Sequence, residues 1–355
     1  MSYVTDLARP EIVALRPYQP AAALDGIRLN ANEAPWRQDW DTTERGLNRY
    51  PEPCPPELVG VLARMYRVEP AQIAVTRGSD DAIDLLVRVF CRAGRDGIVV
   101  CPPTFGMYKV AAQIQGATVH SVPLDAERGF SLDSAAVLAR SRDDVKLVFL
   151  CSPNNPTGNS VPAGVIRELC AALDGTALVI VDEAYIEFSE QASATQLLDH
   201  YQNLVVLRTL SKAHALAGAR VGALLAAPAV VDLVRGVMPP YALPSPSIDA
   251  ACRLSEHDYT RRIAARINGI RHERERVAAK LPALPGVIRV WPSDGNFLLT
   301  QFAEPARVLE HVASRGILLR DFSTQPGLSG CVRISIGDRG QNDALLAAIG
   351  EIGNG

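Results

Sequence analysis

The sequence predicts an α/β protein in which a largely parallel, helix-covered sheet is followed by a smaller α+β unit. Three observations carry this. Short, continuously apolar runs alternate with helical stretches from about residue 50 to about residue 240, the pattern of strands buried on both faces. Polar turns rich in Gly, Pro and Asn follow directly on several of those runs. Past the prolines at 239, 240, 244 and 246 the chain turns charged and the runs become sparse. A length of 355 residues suits two packed domains or one large one.

Taken in order, residues 1–28 hold three prolines and little periodicity, and read as an arm that docks on something. Residues 79–90 place Ile83, Leu86, Val87 and Phe90 on one helical face, with Ser79 expected as N-cap. Strands are expected at 98–101, 117–122, 146–151, 177–181, 204–209 and 221–226, with a helix at 162–173 among the connections. Residues 258–281 carry six arginines and read as a solvated helix. A strand at 297–302, a helix at 305–315 with Pro305 at its start and Gly316 just past its end, and strands at 317–319 and 331–335 complete the smaller unit.

Composition narrows the function classes. The 36 basic and 39 acidic residues give a net charge of −3, which argues against a protein that coats nucleic acid or an anionic membrane. No apolar run approaches the ~20 residues of a membrane helix, and the N-terminus lacks a signal-peptide profile. Seven widely spaced cysteines contain no CxxC pair and read as reduced thiols. A cytoplasmic protein is expected. Dinucleotide, P-loop, zincin and nucleophile-elbow motifs are absent, and the six scattered histidines show no metal-ligand spacing.

Four features fall at strand ends, where open α/β sheets place their ligands. The segment 152–158 (Ser-Pro-Asn-Asn-Pro-Thr-Gly) makes either a rigid turn able to aim an asparagine amide or a plain strand-to-helix turn. Asp182-Glu183-Ala184-Tyr185 closes a very apolar run. An acid there needs a cationic or hydrogen-bonding partner, and a cap or structural ion pair would also satisfy it. Lys212 sits just past the run 204–209, with Arg220 eight positions on. A lysine desolvated there loses its proton readily, which suits imine chemistry, whereas most lysines are simply solvated. Arg77-Gly78-Ser79-Asp80 turns into the helix at 79–90, giving a small anion site or an ordinary capped start.

Jointly these parts meet the needs of pyridoxal phosphate. The cofactor requires a lysine for its aldehyde, a carboxylate to keep its ring nitrogen protonated, donors for its phenolic oxygen, and a helix N-terminus with hydroxyls and an arginine for its phosphate. Asn155, Asp182, Tyr185, Lys212 and Arg220 supply these in turn. On those residues, and on the segments 29–33, 49–52, 76–80, 101–108, 152–158, 182–188, 208–218 with Arg220, 319–321 and 328–334, the sequence resembles the class II pyridoxal-phosphate aminotransferases of fold type I. Segments 30–33 (Asn-Ala-Asn-Glu), 49–53, 182–188 and 328–334 point to the histidinol-phosphate aminotransferase branch; 152–158 and 209–213 mark only the superfamily.

The resemblance implies a seven-stranded, mostly parallel sheet flanked by helices in a large domain at 29–245, preceded by the arm 1–28 and followed by a small α+β domain at 246–355. Residues 29–50 would pack toward the small domain and a dimer interface. Lys212 would hold the cofactor aldehyde and shuttle the reaction's proton, Asp182 would pair with the ring nitrogen, and Tyr185 and Asn155 would hold the phenolic oxygen. Tyr108 would stack on the ring. Backbone N–H groups of Ser79 and Asp80, with Ser211 and Arg220, would grip the phosphate, joined by Tyr50 of a neighbouring subunit. Arg333 would clamp a glutamate carboxylate, with Asn155 near the bound substrate. Arg320, Tyr18 and Tyr241 would face the phosphate of the other substrate. The implied substrates are histidinol phosphate and 2-oxoglutarate or glutamate in histidine biosynthesis, handled by a homodimer with shared sites and no metal. The chain departs from the branch at three places: Ala34-Pro35-Trp36 for a usual Asn-Pro, His214 for a usual Phe, and Pro246 for a small residue. A threonine-phosphate decarboxylase-like lyase, an aromatic-amino-acid aminotransferase and a non-catalytic cofactor sensor share the same framework.

Overall fold

A computed structural model describes residues 3–16 and 27–352. Seven strands form the larger sheet: β1 (Ile73–Thr76), β2 (Gly97–Val100), β3 (Thr118–Ser121), β4 (Val145–Cys151), β5 (Leu178–Asp182), β6 (Leu204–Thr209) and β7 (Gly222–Ala226), in the order β1-β7-β6-β5-β4-β2-β3. Strands β2 to β6 pair in parallel, and β7 runs antiparallel to both β6 and β1. The six expected strands are all present. The seventh, β1, is only Ile-Ala-Val-Thr between a proline turn and Gly78, too short to show a period.

Helices α1 (Val4–Leu7), α2 (Pro10–Val13), α3 (Pro56–Tyr66), α4 (Ser79–Phe90), α5 (Met107–Gln115), α6 (Ser134–Arg140), α7 (Ala163–Ala172) and α8 (Pro228–Val237) surround this sheet. Alternate residues of each strand feed two cores, as the two-residue strand period requires. Val148 and Leu150 of β4 join Leu58 and Leu62 of α3 on one face. Leu147 and Phe149 join Ile83 and Leu86 of α4 on the other. The arm docks on its own chain: Val4 and Leu7 enter the second core, and the Arg9 N–H donates to the Val89 carbonyl at 3.0 Å.

Beyond Pro244 come α9 (Ser245–Cys252), α10 (Tyr259–Lys280), β8 (Val287–Val290), β9 (Phe297–Phe302), α11 (Pro305–Ser314), β10 (Arg320–Asp321), β11 (Cys331–Ser335) and α12 (Arg339–Glu351). The second sheet is antiparallel in the order β10-β11-β9-β8. Its core gathers Val277, Leu298, Phe302, Val312, Ile334 and Ile349, whereas Ile248 and Ala251 of α9 pack into the larger sheet's core. The expected solvated helix is α10, which buries only Arg274 and Val277. The strand expected at 317–319 forms at Arg320–Asp321 instead. The Ile317 N–H closes α11 on the Val312 carbonyl at 2.9 Å, so ladder pairing begins only at Arg320, opposite Arg333.

Candidate active site

Two glycines shape the turn between β1 and α4. Gly78, not Ser79, is the N-cap, because the chain must take φ +86° there; Ser79 is the first helical residue, and no side chain caps the helix. A Cβ on Gly78 would lie 2.5 Å from Arg220 Nη2, and one on Gly222 would lie 2.5 Å from the Gly78 carbonyl carbon. Their absent side chains let Arg220 lie against the start of α4. Arg220 Nη1 donates to Ser211 Oγ at 3.3 Å and to the Ala217 carbonyl at 3.1 Å, while Nη2 lies 3.5 Å from Asp80 Oδ2. A guanidinium, a hydroxyl and uncapped helix N–H groups make a ready anion cradle.

Asp182 closes β5 at the floor of a cleft of about 580 Å³ that also meets Ser79, Asn155, Tyr185, Lys212 and Arg220. Burial pushes its carboxyl up to about 6, although it accepts from the Tyr108 hydroxyl at 2.7 Å and the Ala184 N–H at 3.2 Å. Lys212 opens into the cleft with its Nζ 5.6 Å from the Tyr185 ring centre. Withdrawal of water by the cleft walls, followed by the charge of Arg333, lowers its pKa. Asn155 Nδ2 donates to the Tyr185 hydroxyl at 3.3 Å, and burial raises the Tyr185 pKa.

Arg333 Nη1 donates to Asn155 Oδ1 at 2.5 Å, so the smaller sheet closes one side of this cleft. Arg320 pairs with Arg333 in register, and both guanidiniums lie within about 6 Å of the Phe322 ring. Among the described residues neither arginine has a carboxylate partner within ion-pair range, and Arg333 Nε is buried without a hydrogen bond. Burial, with the charge of Arg320 acting in the same direction, lowers the pKa of Arg333.

Asn155, Asp182, Tyr185, Lys212, Ser211, Arg220, Ser79 and Asp80 are thus brought together as the sequence suggested. Tyr108 is not in the cleft. It is fully buried, stacks on Phe149 at 4.8 Å and directs its hydroxyl to Asp182, because it lies on the inner face of α5. The aromatic ring that lines the cleft is Phe105. Its signal was available three residues upstream in the same segment, just before the helix begins. Tyr50 also lies outside its own chain's cleft: it is about half exposed, stacks on Tyr241 at 4.4 Å, and its N–H is held by Glu33 at 2.7 Å. Tyr241 is thereby placed with Tyr50. Tyr18 lies outside the described residues.

These residues fit pyridoxal phosphate. The buried acid is costly without a cation beside it, the lysine is desolvated, and the uncapped helix start faces Arg220. The family model for aminotransferase class I and II matches residues 27–349. The chain belongs to the class I and II aminotransferase family. The cofactor of this aminotransferase is pyridoxal phosphate, and its substrates are small molecules. It is 46% identical over 352 residues to a histidinol-phosphate aminotransferase of Stenotrophomonas maltophilia, covering 98% of this chain and 96% of that one. A histidinol-phosphate aminotransferase of Xylella fastidiosa is 44% identical over 98% of this chain and 97% of its own. Among solved structures, a histidinol-phosphate aminotransferase of Sinorhizobium meliloti in complex with pyridoxal-5′-phosphate superposes with a TM-score of 0.77 at 27% identity, covering 86% of this aminotransferase and 83% of that chain. Among the described residues no helix is long and apolar enough to cross a membrane, and no acid, His or Cys cluster could hold a metal ion.

Proposed function

We propose that this aminotransferase converts L-histidinol phosphate and 2-oxoglutarate to imidazole acetol phosphate and L-glutamate, as a cytoplasmic homodimer serving histidine biosynthesis. The carrying observation is the pair Arg320 and Arg333, two cross-strand cations with no acidic partner among the described residues, of which Arg333 reaches Asn155 of the Lys212 cleft. One guanidinium suits a glutamate carboxylate held by two parallel hydrogen bonds, and the other suits a substrate phosphate. The names of the full-length relatives support the same substrate.

Bound pyridoxal phosphate supplies an electron sink for charge developing at the substrate Cα. Asp182 would hold the ring nitrogen's proton in place. Ser79 and Asp80 N–H groups, Ser211 and Arg220 bind the phosphate and fix the ring's position. Asn155 and Tyr185 would orient the phenolic oxygen, and Phe105, which lines the cleft, would help shield the ring from water. Lys212, its proton loosened by burial and by Arg333, would take the proton from the substrate Cα and hold it for return to the product. An incoming carboxylate would compete with Asn155 Oδ1 for the Arg333 donor that now reaches it.

Tyr50 is half exposed and away from its own cleft, and Ile27, Leu29, Trp36 and Trp40 nearby are well exposed, which supports a second copy covering this face and receiving Tyr50 at its phosphate site. Mixing Lys212→Ala chains with Tyr50→Ala chains then restores activity that neither shows alone, since each hybrid holds one complete site. Purified protein given histidinol phosphate and 2-oxoglutarate should release glutamate and convert the cofactor spectrum to the amine form. Turnover of phenylalanine but not histidinol phosphate would favour the aromatic aminotransferase, and carbon dioxide release from threonine phosphate the lyase. Lys212→Ala should lose both the lysine-linked absorption band and activity; full activity in that variant would overturn the assignment.

A further inference from the structure

Behind the cleft lies a buried polar network that the reaction does not use. Arg208 of β6 donates through Nη2 to Glu187 Oε1 at 2.7 Å, lies 3.5 Å from Glu183 Oε2, and packs over the Tyr66 ring at 4.6 Å. Burial alone would raise the Glu187 carboxyl, but Arg208 and His214 together bring it down to about 2. Its Oε2 has no hydrogen-bond partner among the described residues. The His214 side chain is largely covered as well, with Nε2 3.6 Å from Glu187 Oε1 and Nδ1 2.7 Å from the Tyr259 hydroxyl.

The position of His214 in the chain gives this network its significance. It stands two residues after Lys212, in a tight turn closed by the Leu216 N–H on the Leu210 carbonyl at 3.1 Å, with Ala215 left-handed at φ +57°. Ala215 and Ala217 of this turn are exposed and Lys212 opens into the cleft, so His214 is the turn's inward polar anchor. Tyr259 is the first residue of α10. That helix also clasps the Glu187 turn from the other side: Arg271 donates to the Glu187, Phe188 and Ser189 carbonyls, and Arg274 joins the Phe188 and Gly295 carbonyls at 3.2 and 2.8 Å. Gly295 leads into β9, the strand beside Arg333. One continuous set of contacts therefore runs from the Lys212 turn, through His214, to the elements that carry Arg333.

We propose that His214 is a positioning residue for Lys212, pinning the lysine turn to Glu187 and to Tyr259 so that the amine and the Arg333 guanidinium keep a fixed mutual setting. The inference rests on the proposed role of Lys212. It concerns rate rather than substrate affinity, because His214 touches neither the anion cradle nor the two arginines.

The test uses cofactor-loaded enzyme carrying His214→Phe, Tyr259→Phe, both changes, or His214→Asn. His214→Phe and Tyr259→Phe should each lower kcat about tenfold, the scale on which small misplacements of a reacting group cost rate, with KM for either substrate within about twofold of wild type. The double variant should be no slower than the slower single one, as expected for groups acting as a unit. His214→Asn, which keeps a partner for the Tyr259 hydroxyl, should recover most of the rate. The second readout is the pH midpoint of the lysine-linked absorption band. It should move in both Phe variants while the groups facing Lys212 (Asp80, Asp182, Tyr185, Arg220 and Arg333) and those facing His214 (Glu187, Tyr259, Arg208 and Glu256) otherwise stay in place. Tyr259→Phe removes a single oxygen, so it remains informative if His214→Phe folds poorly. Unchanged kcat and band midpoint in Tyr259→Phe, or single effects that multiply, would overturn the proposal. A wild-type enzyme that fails to form glutamate would instead overturn the function it rests on.

Discussion

Asp182→Asn should make the cofactor-free protein more stable at neutral pH while abolishing its chemistry. Burial moves the Asp182 carboxyl from 3.8 to about 6. The folded state therefore binds this proton more tightly than the unfolded state does. The resulting stability is fully present below about pH 4 and is lost as pH rises through about 6. At about 1.4 kcal/mol per pH unit, the ionised carboxylate costs the fold about 3 kcal/mol by pH 7.5. Asparagine fills the same volume and does not ionise. Its carboxamide keeps one acceptor oxygen where the carboxylate had two, serving either the Ala184 N–H or the Tyr108 hydroxyl, but that loss is the same at every pH and cancels when curves are compared. Urea unfolding of stripped wild type and Asp182→Asn between pH 4 and 7.5 should show the variant gaining about 3 kcal/mol relative to wild type across that range. Glu183, the other buried acid with a raised pKa, titrates alike in both. Adding pyridoxal phosphate should reverse the order at neutral pH, because the ring nitrogen gives the carboxylate its cation. Parallel pH–stability curves for the two proteins would refute the argument that Asp182 is an ionised acid held in place at a cost.

Tyr108→Phe removes the hydroxyl that donates to Asp182. A hydrogen bond to a charged group is worth about 1.5–3 kcal/mol, so the acid limb of the activity profile should move up by about one to two pH units, read from kcat against pH in the loaded enzyme. Gly222→Ala places a Cβ 2.5 Å from the Gly78 backbone; it should cost about 1–3 kcal/mol of stability and weaken pyridoxal phosphate binding by at least about tenfold in a fluorescence titration. Gly164→Ala, whose Cβ would meet nothing within 4 Å, serves as its control and should bind normally. Arg333→Met should raise KM for 2-oxoglutarate about 10- to 100-fold by loss of a charge-assisted pair. It should also raise the Lys212 pKa by removing a neighbouring cation, visible as slower reaction of its amine with an acylating reagent at pH 8.

The legible part of the site was local in sequence. Asn155, Asp182, Tyr185, Lys212 and Arg220 each sit within a few residues of an apolar run whose end could be read directly, and a parallel sheet carries such ends to one edge. Tyr108 and Phe105 were harder, because choosing between them depends on the phase at which α5 starts. A one-turn helix register decides which ring faces the core and which the cleft. The Tyr50–Tyr241 stack joins segments far apart in the chain, and no periodicity predicts such a meeting. The same holds for Glu187, Arg208 and His214, which read singly as an acid, a strand residue and a scattered histidine. Strands β1 and β8 escaped because four residues, one flanked by a proline turn and the other half-exposed, carry almost no pattern.

The facing arginines on β10 and β11 also bear on how the protein responds to its surroundings. Two like charges held side by side near a single phenyl ring oppose the pairing of the strands that carry them, and any anion settling between them removes that opposition. Occupancy and rigidity of the second sheet are then one thermodynamic quantity. Its melting should track the concentration of free phosphate or dicarboxylate through ordinary mass action. Inorganic phosphate in a buffer would act both as a mild stabiliser of this sheet and as a competitor for the cleft it borders.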